Sequence, residues 1–507
     1  MQQTAEEKPH QLKQSLGLLD ATMIVAGSMI GSGIFIVSAD IARSVGSAGY
    51  MIALWIVSGL ITVFAALSYG ELAGMMPKAG GQFVYLQKAF GNLTAFLYGW
   101  SVLVVIQTGV IAAVAVAFAK FTGVFIPYFS PDHIIADLGF IKISTAQILA
   151  IGVIVILTII NSRGVSKGKT IQLIFTSAKM IALLALIVLG ISVGIGNGIF
   201  NANFSDAWHA TKTVVGEDGN LVVTTLTGIG LLLALGTVII GPLFSHDAWN
   251  YVTFIAGEIK NPKRNIPLSL FIGTLVVTIL YSLSNIAYLA LLPLHGDPAA
   301  TDAIGQGIQF AGSKFASDGS VILNDRVGTA AASIIFQNSA VYIMAALIMI
   351  STFGCNNGII LSGARLYYAM GKDGLFFKKA TKLNKNDVPG FSLWIQCAWA
   401  SVLCLSGTYG ELLNYTTFAS LLFYVVTIIG LFVLRKKFPD AERPYKAFGY
   451  PIVPIIYIII ALSICIILLI TTPQNAGLGL LIIALGIPVY FATVGRNKKD
   501  HPATDQL

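Results

Sequence analysis

Residues 16–46 read LGLLDATMIVAGSMIGSGIFIVSADIARSVG. The segment is long and apolar enough for a membrane helix, yet its centre, Gly27-Ser28-Met29-Ile30-Gly31-Ser32-Gly33, holds three glycines in seven residues. Leu16 to Gly27 and Gly33 to Ser44 are twelve residues each, about 18 Å per half at a rise of ~1.5 Å. The glycine run therefore falls near the middle of a hydrocarbon layer of roughly 30 Å. Each glycine lowers helix propensity by about 1 kcal/mol relative to alanine. Unwound backbone in lipid leaves peptide groups unsatisfied, at several kcal/mol apiece, unless it lines a cavity inside the protein. An intact helix packing through Gly27-xxx-Gly31 is the competing reading of this segment alone.

A second segment, 223–257, carries Gly236 and then Gly241-Pro242-Leu243-Phe244-Ser245-His246-Asp247-Ala248-Trp249-Asn250-Tyr251. Pro242 removes a backbone donor and crowds the preceding turn. His246 and Asp247 put ionisable groups in an apolar run, where a central charge costs roughly 2.5–3.5 kcal/mol. Two interrupted spans, in first and sixth place, match the pattern of transporters built from inverted repeats. Each interruption offers orphan N–H groups with a positive dipole end, or orphan carbonyls. A zwitterion needs both kinds of group.

The rest of the chain supports membrane insertion. It has 507 residues, 56% hydrophobic and 11% charged, against about 25% charged in soluble domains. Apolar runs give twelve spans, near 16–45, 48–76, 91–125, 144–161, 169–195, 223–257, 265–293, 335–370, 391–407, 411–434, 451–472 and 475–495. The first fifteen residues lack an apolar core, so no cleavable signal peptide is expected. Alternating the spans from an inside N-terminus puts 23 Lys and Arg inside against 6 outside, with Lys179 and Arg365 within spans. That asymmetry predicts both termini on the cytoplasmic side. It also accounts for the net charge of +8 without nucleic acid. Cys355, Cys397, Cys404 and Cys465 all lie in apolar runs, so no disulfide framework is implied. Two long outside loops, 198–222 and 294–334, are interrupted by apolar residues such as Phe310 and Val321-Ile322-Leu323; they are expected to be mainly solvent-exposed excursions, with short helices covering an entrance as the alternative.

Five segments, in order and on these spans, carry a resemblance: GSMIGSGIF (27–35), YGELAGMMPKAGGQFVY (69–85), FSHDAWNYVTFIAGEIKNPKRNIP (244–267), STFGCNNGIILSGARLYYAMGKDG (351–374) and RPYKAFGYP (443–451). The chain resembles the amino acid–polyamine–organocation superfamily, in particular its L-amino acid transporter branch, over nearly its whole length. The resemblance implies an all-α integral membrane protein of 12 transmembrane helices. Its fold would be the leucine-transporter type, a 5+5 inverted repeat plus two extra helices, with helices 1 and 6 broken. The implied organisation is a tail at 1–15, a first repeat at 16–197, an outside loop at 198–222, and a second repeat at 223–434 that includes 294–334. Spans 11 and 12 follow at 435–495 and a tail at 496–507.

By the same resemblance, the substrate carboxylate meets N–H groups of Gly31, Ser32 and Gly33, beside Ile30. The substrate amino group meets carbonyls of Met29, Phe244 and Asp247, and Phe244 is an aromatic gate. Asn250, Tyr251 and Cys355 match pocket-side positions, with Gln107, Thr416 and Ser420 as weaker matches. The family often has Gly at the position of Asp247, so this pocket is more acidic than the usual pattern. Lys179 matches a position that, in sodium-independent members, takes the place of a bound Na⁺. An ammonium supplies the same charge, and it could be a fixed structural group or one that titrates to couple protons. Ser351 and Thr352 are its expected hydroxyl partners, and Glu71 and Glu258, near the inner ends of their spans, are expected to pair with Arg or Lys of the adjacent loops, with Arg365 similar.

The implied activity is sodium-independent secondary transport of L-amino acids in a bacterial inner membrane, by exchange or proton coupling. A polyamine or cationic amino acid exchanger is the alternative raised by Asp247. No HExxH, no GxSxG with an intramembrane His and Asp, and no metal-ligand cluster supports an enzyme, a metal or a cofactor. No cysteine lies between spans 3 and 4, where animal relatives attach a heavy chain, so no disulfide-linked partner is expected.

Overall fold

The structure, a computed structural model, describes residues 12–131, 133–137, 142–216, 220–315, 320–406 and 409–494, without side chains at 406 and 409–415. The expected terminal tails lie outside the described residues, apart from 12–15.

The chain is mostly helical. Helix α1 (Leu18–Met29) and helix α2 (Val37–Val45) flank one 3₁₀ turn at Gly33–Phe35. Gly46, at φ +50°, ends α2 in the left-handed conformation. Ser47 then caps α3 (Ala48–Met75), its hydroxyl accepting from Tyr50 N–H. Short α4 (Gln82–Phe90) leads to α5 (Asn92–Ser101) and α6 (Gln107–Thr122), continuous through a π-helical turn at Val102–Ile106. A hairpin of β1 (Ile134–Asp137) and β2 (Lys142–Ser144) precedes α7 (Thr145–Ser162), which opens on a Ser144–Gln147 capping box. Gly164, at φ +117°, separates it from α8 (Val165–Gly194).

Helix α9 (Ile199–Phe204) and a hairpin of β3 (Thr211–Val215) and β4 (Leu221–Thr225) lead to α10 (Gly228–Val238) and α11 (Ile240–Ser245). Two 3₁₀ turns, Trp249–Thr253 and Ala256–Glu258, carry the chain to α12 (Pro262–Leu291), whose first residue is a proline. After α13 (Ala303–Gln306) and the small hairpin of β5 (Lys314–Phe315) and β6 (Val321–Ile322) come α14 (Val327–Phe336) and α15 (Ala340–Lys372). The last four are α16 (Gly390–Ser406), α17 (Tyr409–Lys437), α18 (Ile452–Thr471) and α19 (Pro473–Thr493).

Among the described residues, ten helices are long and apolar enough to cross a membrane. The expected spans 1 and 9 fall on the shorter apolar helices Leu18–Met29 and Gly390–Leu405. Side chains sort as lipid requires. On α8, Ile174, Ile181 and Val188 are exposed, whereas Gln172, Thr176 and Lys179 are buried. A water-soluble helix would reverse that order.

The long loops differ from the expected open excursions. Residues 198–222 form α9 and most of a hairpin, and Asn203 donates to the Leu289 and Leu292 carbonyls. In 294–334, Ile308, Phe310 and Ala311 are fully buried, and Gln309 donates to Ala42 O and Thr213 Oγ1. Residues 327–336, most of them expected to be loop, are helix α14, which brings Gly328 against Phe35. The apolar interruptions hinted at short helices here, but which surfaces they pack on was not legible, because their partners lie on other loops.

Candidate functional site

Helix α1 ends where its glycines accumulate. Ile30 is extended (φ −75°, ψ 97°), so the last carbonyls of α1 lose their intrahelical donors. Side chains from three other helices satisfy them. Lys179 Nζ of α8 donates to Gly27 O at 2.5 Å and Ile30 O at 2.6 Å. Ser351 Oγ of α15 donates to Ile30 O and Gly31 O at 3.1 and 2.9 Å. Cys355 Sγ, one turn along α15, donates to Ser28 O at 3.0 Å. Tyr281 OH of α12 lies 3.1 Å from Met29 O and 3.2 Å from Ser245 O. It thus links the turn after α1 to the end of α11.

The second irregular segment is built by Pro242 and by strain. Pro242 O accepts from His246 N–H at 3.0 Å as α11 ends. Ala248 then takes φ +66°, a region costly for a residue with a Cβ, and redirects the chain into the 3₁₀ turn at Trp249–Thr253. Asp247 Oδ1 accepts from Tyr424 OH of α17 at 2.5 Å.

The two segments face each other across a narrow cavity. Ser28, Met29, Gly31, Ser32 and Gly33 line one wall, and Phe244, Ser245, Asp247 and Ala248 the opposite one. Val110 and Val114 of α6 and Cys355 of α15 complete it. A Cβ on Gly33 would collide with Ser245, and one on Gly27 with Gln172 and Thr176. A Cβ on Gly31 would have Cys355 Sγ as its nearest neighbour, at 3.7 Å. Gly27 and Gly33 are thus small for packing, whereas Gly31 opens space. The cavity is lined on one side by the glycine-rich turn after α1 and on the other by Phe244 and the Asp247 carboxyl group, a size and mix of groups that suits a small polar solute.

Seven of the expected site residues share this cavity: Met29, Gly31, Ser32, Gly33, Phe244, Asp247 and Cys355. Ile30 is buried with its carbonyl turned to Lys179 and Ser351. Asn250 and Tyr251 are not on the lining. Asn250 donates to Gln82 Oε1 at 2.9 Å, and its Oδ1 lies 3.2 Å from Tyr424 OH. The Tyr251 ring stacks on Phe254. Gln107 is a packing hub, bonded to Ile359 O, Gln396 Oε1 and Tyr367 OH. Thr416 abuts Gly109, and Ser420 lines a second cavity beyond Asp247.

Lys179 differs from expectation in its partners, which are mainly backbone carbonyls. Its contact with Ser351 is to the carbonyl, at 3.4 Å, and the Thr352 hydroxyl bonds back to Ile348 O. Tyr281 is the residue that sequence reasoning missed. A lone tyrosine in an apolar span gives no sign that its hydroxyl reaches two chain segments.

Below the cavity, Glu258 and Arg365 form a fully buried ion pair at 2.8 Å. Beside it, Leu16 and Ile259 pair as a parallel β-bridge, with Ser15 N and Leu16 N donating to Glu258 O and Lys260 N to Leu16 O. Glu71 binds Arg435, Arg443 and the Ala447 N–H. Ion pairs were expected for all three, with Arg or Lys of adjacent loops as partners; Glu258 instead pairs with Arg365 of α15, and Glu71 with Arg435 at the end of α17 and Arg443 beyond it. Among the described residues no group of three or more His, Cys, Asp or Glu side chains could hold a metal ion.

The amino acid permease family model matches residues 16–493. The b(0,+)-type amino acid transporter 1 of Mus musculus is 29% identical over 495 residues, covering 97% of this chain and 90% of that protein. The large neutral amino acids transporter small subunit 2 of Oryctolagus cuniculus is 30% identical over 486 residues, 95% of this chain and 81% of the relative. The Asc-type amino acid transporter 1 of Mus musculus is 28% identical over 492 residues, with 95% and 82% covered.

Proposed function

The chain belongs to the amino acid permease family, whose members are transporters rather than enzymes, and from that premise we propose that it is a sodium-independent secondary carrier of L-amino acids. It works by alternating access, through exchange or proton coupling. In this reading the segments after α1 and after α11 are breaks in transmembrane helices 1 and 6. The chain has 12 spans as a 5+5 inverted repeat plus two, and it sits in a bacterial inner membrane with both termini inside. No disulfide-linked heavy chain is part of it.

The observation that carries the reading is the cavity between the two irregular segments. Its glycine wall presents N–H groups to a carboxylate, and Phe244, Asp247 and the carbonyls opposite suit an ammonium group. Lys179 supports sodium independence, because its ammonium occupies the carbonyl cluster of Gly27 and Ile30 that a cation would otherwise neutralise. Uptake of radiolabelled L-amino acids into proteoliposomes, with and without a preloaded amino acid and with a pH gradient, tests the proposal. Accelerated uptake in preloaded vesicles marks exchange, stimulation by the gradient marks proton coupling, and absence of uptake under every condition refutes the carrier reading.

Asp247 favours a second reading, a carrier for cationic amino acids or polyamines. Its carboxylate lines the cavity and is bonded to a neutral phenol rather than to a base. A substrate with a second positive charge would gain a charge-assisted hydrogen bond there.

A further inference from the structure

Asp247 lines two cavities. The second lies beyond it, among α3, α11, α17 and α18, and is lined by Thr62, His246, Ser420, Tyr424 and Tyr457 as well. His246 is fully buried there. Its Nδ1 lies 2.9 Å from Pro242 O. A carbonyl only accepts, so Nδ1 carries the ring hydrogen. The Ser58 hydroxyl, 3.3 Å from the same nitrogen, donates to Trp55 O and does not compete for that role. The rings of Trp55 and Tyr281 pack against the imidazole, which opposes a flip. Nε2 is left as a lone-pair acceptor, and among the described residues it meets no protein donor. A buried acceptor left unmet costs about 1–3 kcal/mol, so the geometry calls for a donor in this cavity.

We propose that Asp247 and His246, joined by one water in the second cavity, form a site that holds a single exchangeable proton beside the substrate cavity. Buried waters typically make about three hydrogen bonds. With the proton on Asp247, Oδ2–H donates to the water oxygen, Tyr424 having taken Oδ1, and the water gives one of its own hydrogens to His246 Nε2. A neighbouring hydroxyl supplies the third bond. When the proton moves, the carboxyl group gives it to the water oxygen while the water passes a hydrogen to Nε2. Carboxyl and imidazole become carboxylate and imidazolium, the water is regenerated, and the net charge is unchanged. The other groups around His246 are Trp55, Ser58 and Thr62 of α3, Tyr281 of α12, Thr417, Ser420 and Tyr424 of α17 and Tyr457 of α18. None of them carries a charge at neutral pH. Lys179 serves the other chain segment, bonded to Gly27 O and Ile30 O.

The geometry stands without reference to transport, and only its use in coupling rests on the carrier reading. The test uses the full-length protein in lipid with ring-¹⁵N-labelled histidine, six residues in all, the His246 signal being the one lost in His246→Gln. The expected spectrum has the hydrogen on Nδ1 and an Nε2 that accepts a hydrogen bond. That signal should change in Asp247→Asn and, should that variant fold poorly, in Tyr424→Phe. An Nε2–H tautomer, or an Nε2 signal indifferent to the folded variants, overturns the proposal. For coupling, uptake of radiolabelled L-alanine and L-lysine by His246→Gln proteoliposomes should persist but lose its dependence on pH. An unchanged pH profile removes the pair from coupling. The spectral arm uses no substrate, so it is unaffected if the carrier reading fails.

Discussion

Gly31 and Gly33 are two residues apart, yet a methyl group meets different surroundings at each. At Gly31 it has ordinary contact with Cys355 Sγ at 3.7 Å, and at Gly33 it collides with Ser245. Gly31→Ala should therefore fold normally. If the substrate carboxylate packs against this turn, binding should weaken tenfold or more, about 1.4 kcal/mol. Unchanged affinity in a scintillation proximity assay would place the carboxylate elsewhere. Gly33→Ala should instead lower stability, by roughly 1–3 kcal/mol as overpacking does, read as an earlier thermal transition in detergent. Asp247 is tested by competition. If its charge selects substrates, Asp247→Gly should weaken competition by arginine and lysine by ~1.5–3 kcal/mol, and that by alanine and leucine less. Equal losses would make Asp247 a structural or proton-coupling group. At this scale the sequence reveals residue types but not where they point. Asp247 could be singled out because a carboxyl group is rare in such a run, whereas the outward placement of Asn250 and Tyr251 depends on the left-handed turn at Ala248.

Elements were legible where their cause is local. The glycines at 27–33 mark where α1 stops, and Pro242 marks the interruption between α10 and α11, because propensity and ring geometry act within a turn. The extent of α14 and the burial around Phe310 were only hinted at by apolar interruptions in the loop, since their packing depends on surfaces supplied by distant loops. The pairing of α15 with the 3₁₀ turn at Ala256–Glu258 shows how costly such a distant contact is to disturb. Arg365→Met should leave the fully buried Glu258 unpaired and destabilise the protein by about 3–5 kcal/mol. The double variant Arg365→Met, Glu258→Gln should recover most of that loss, in thermal unfolding followed by size-exclusion chromatography. Equal stability of the single and double variants would mean that the pair is not an isolated unit.

For the whole molecule, hydrophobicity and charge asymmetry were enough to read a helical membrane protein, because lipid leaves few other solutions. Replacing Na⁺ by choline on both sides of proteoliposomes should leave initial uptake nearly unchanged, if the Lys179 ammonium in the carbonyl cluster stands in for a metal ion. A fall of tenfold or more would show that a metal ion is needed. If the protein works by alternating access, the bridge between Leu16 and Ile259 would set how long one closed state lasts. Three backbone hydrogen bonds close it, each contributing about 1 kcal/mol net. Rupturing all three before the inner end can part would lengthen the lifetime of the shut state about a hundredfold. The bridge then acts as a clock on the carrier. Leu16→Pro, which removes one of the donors, should shorten single-molecule dwell times in the shut state several-fold without altering the affinity of that state. Unaltered dwell times would mean that the slow step lies elsewhere in the molecule.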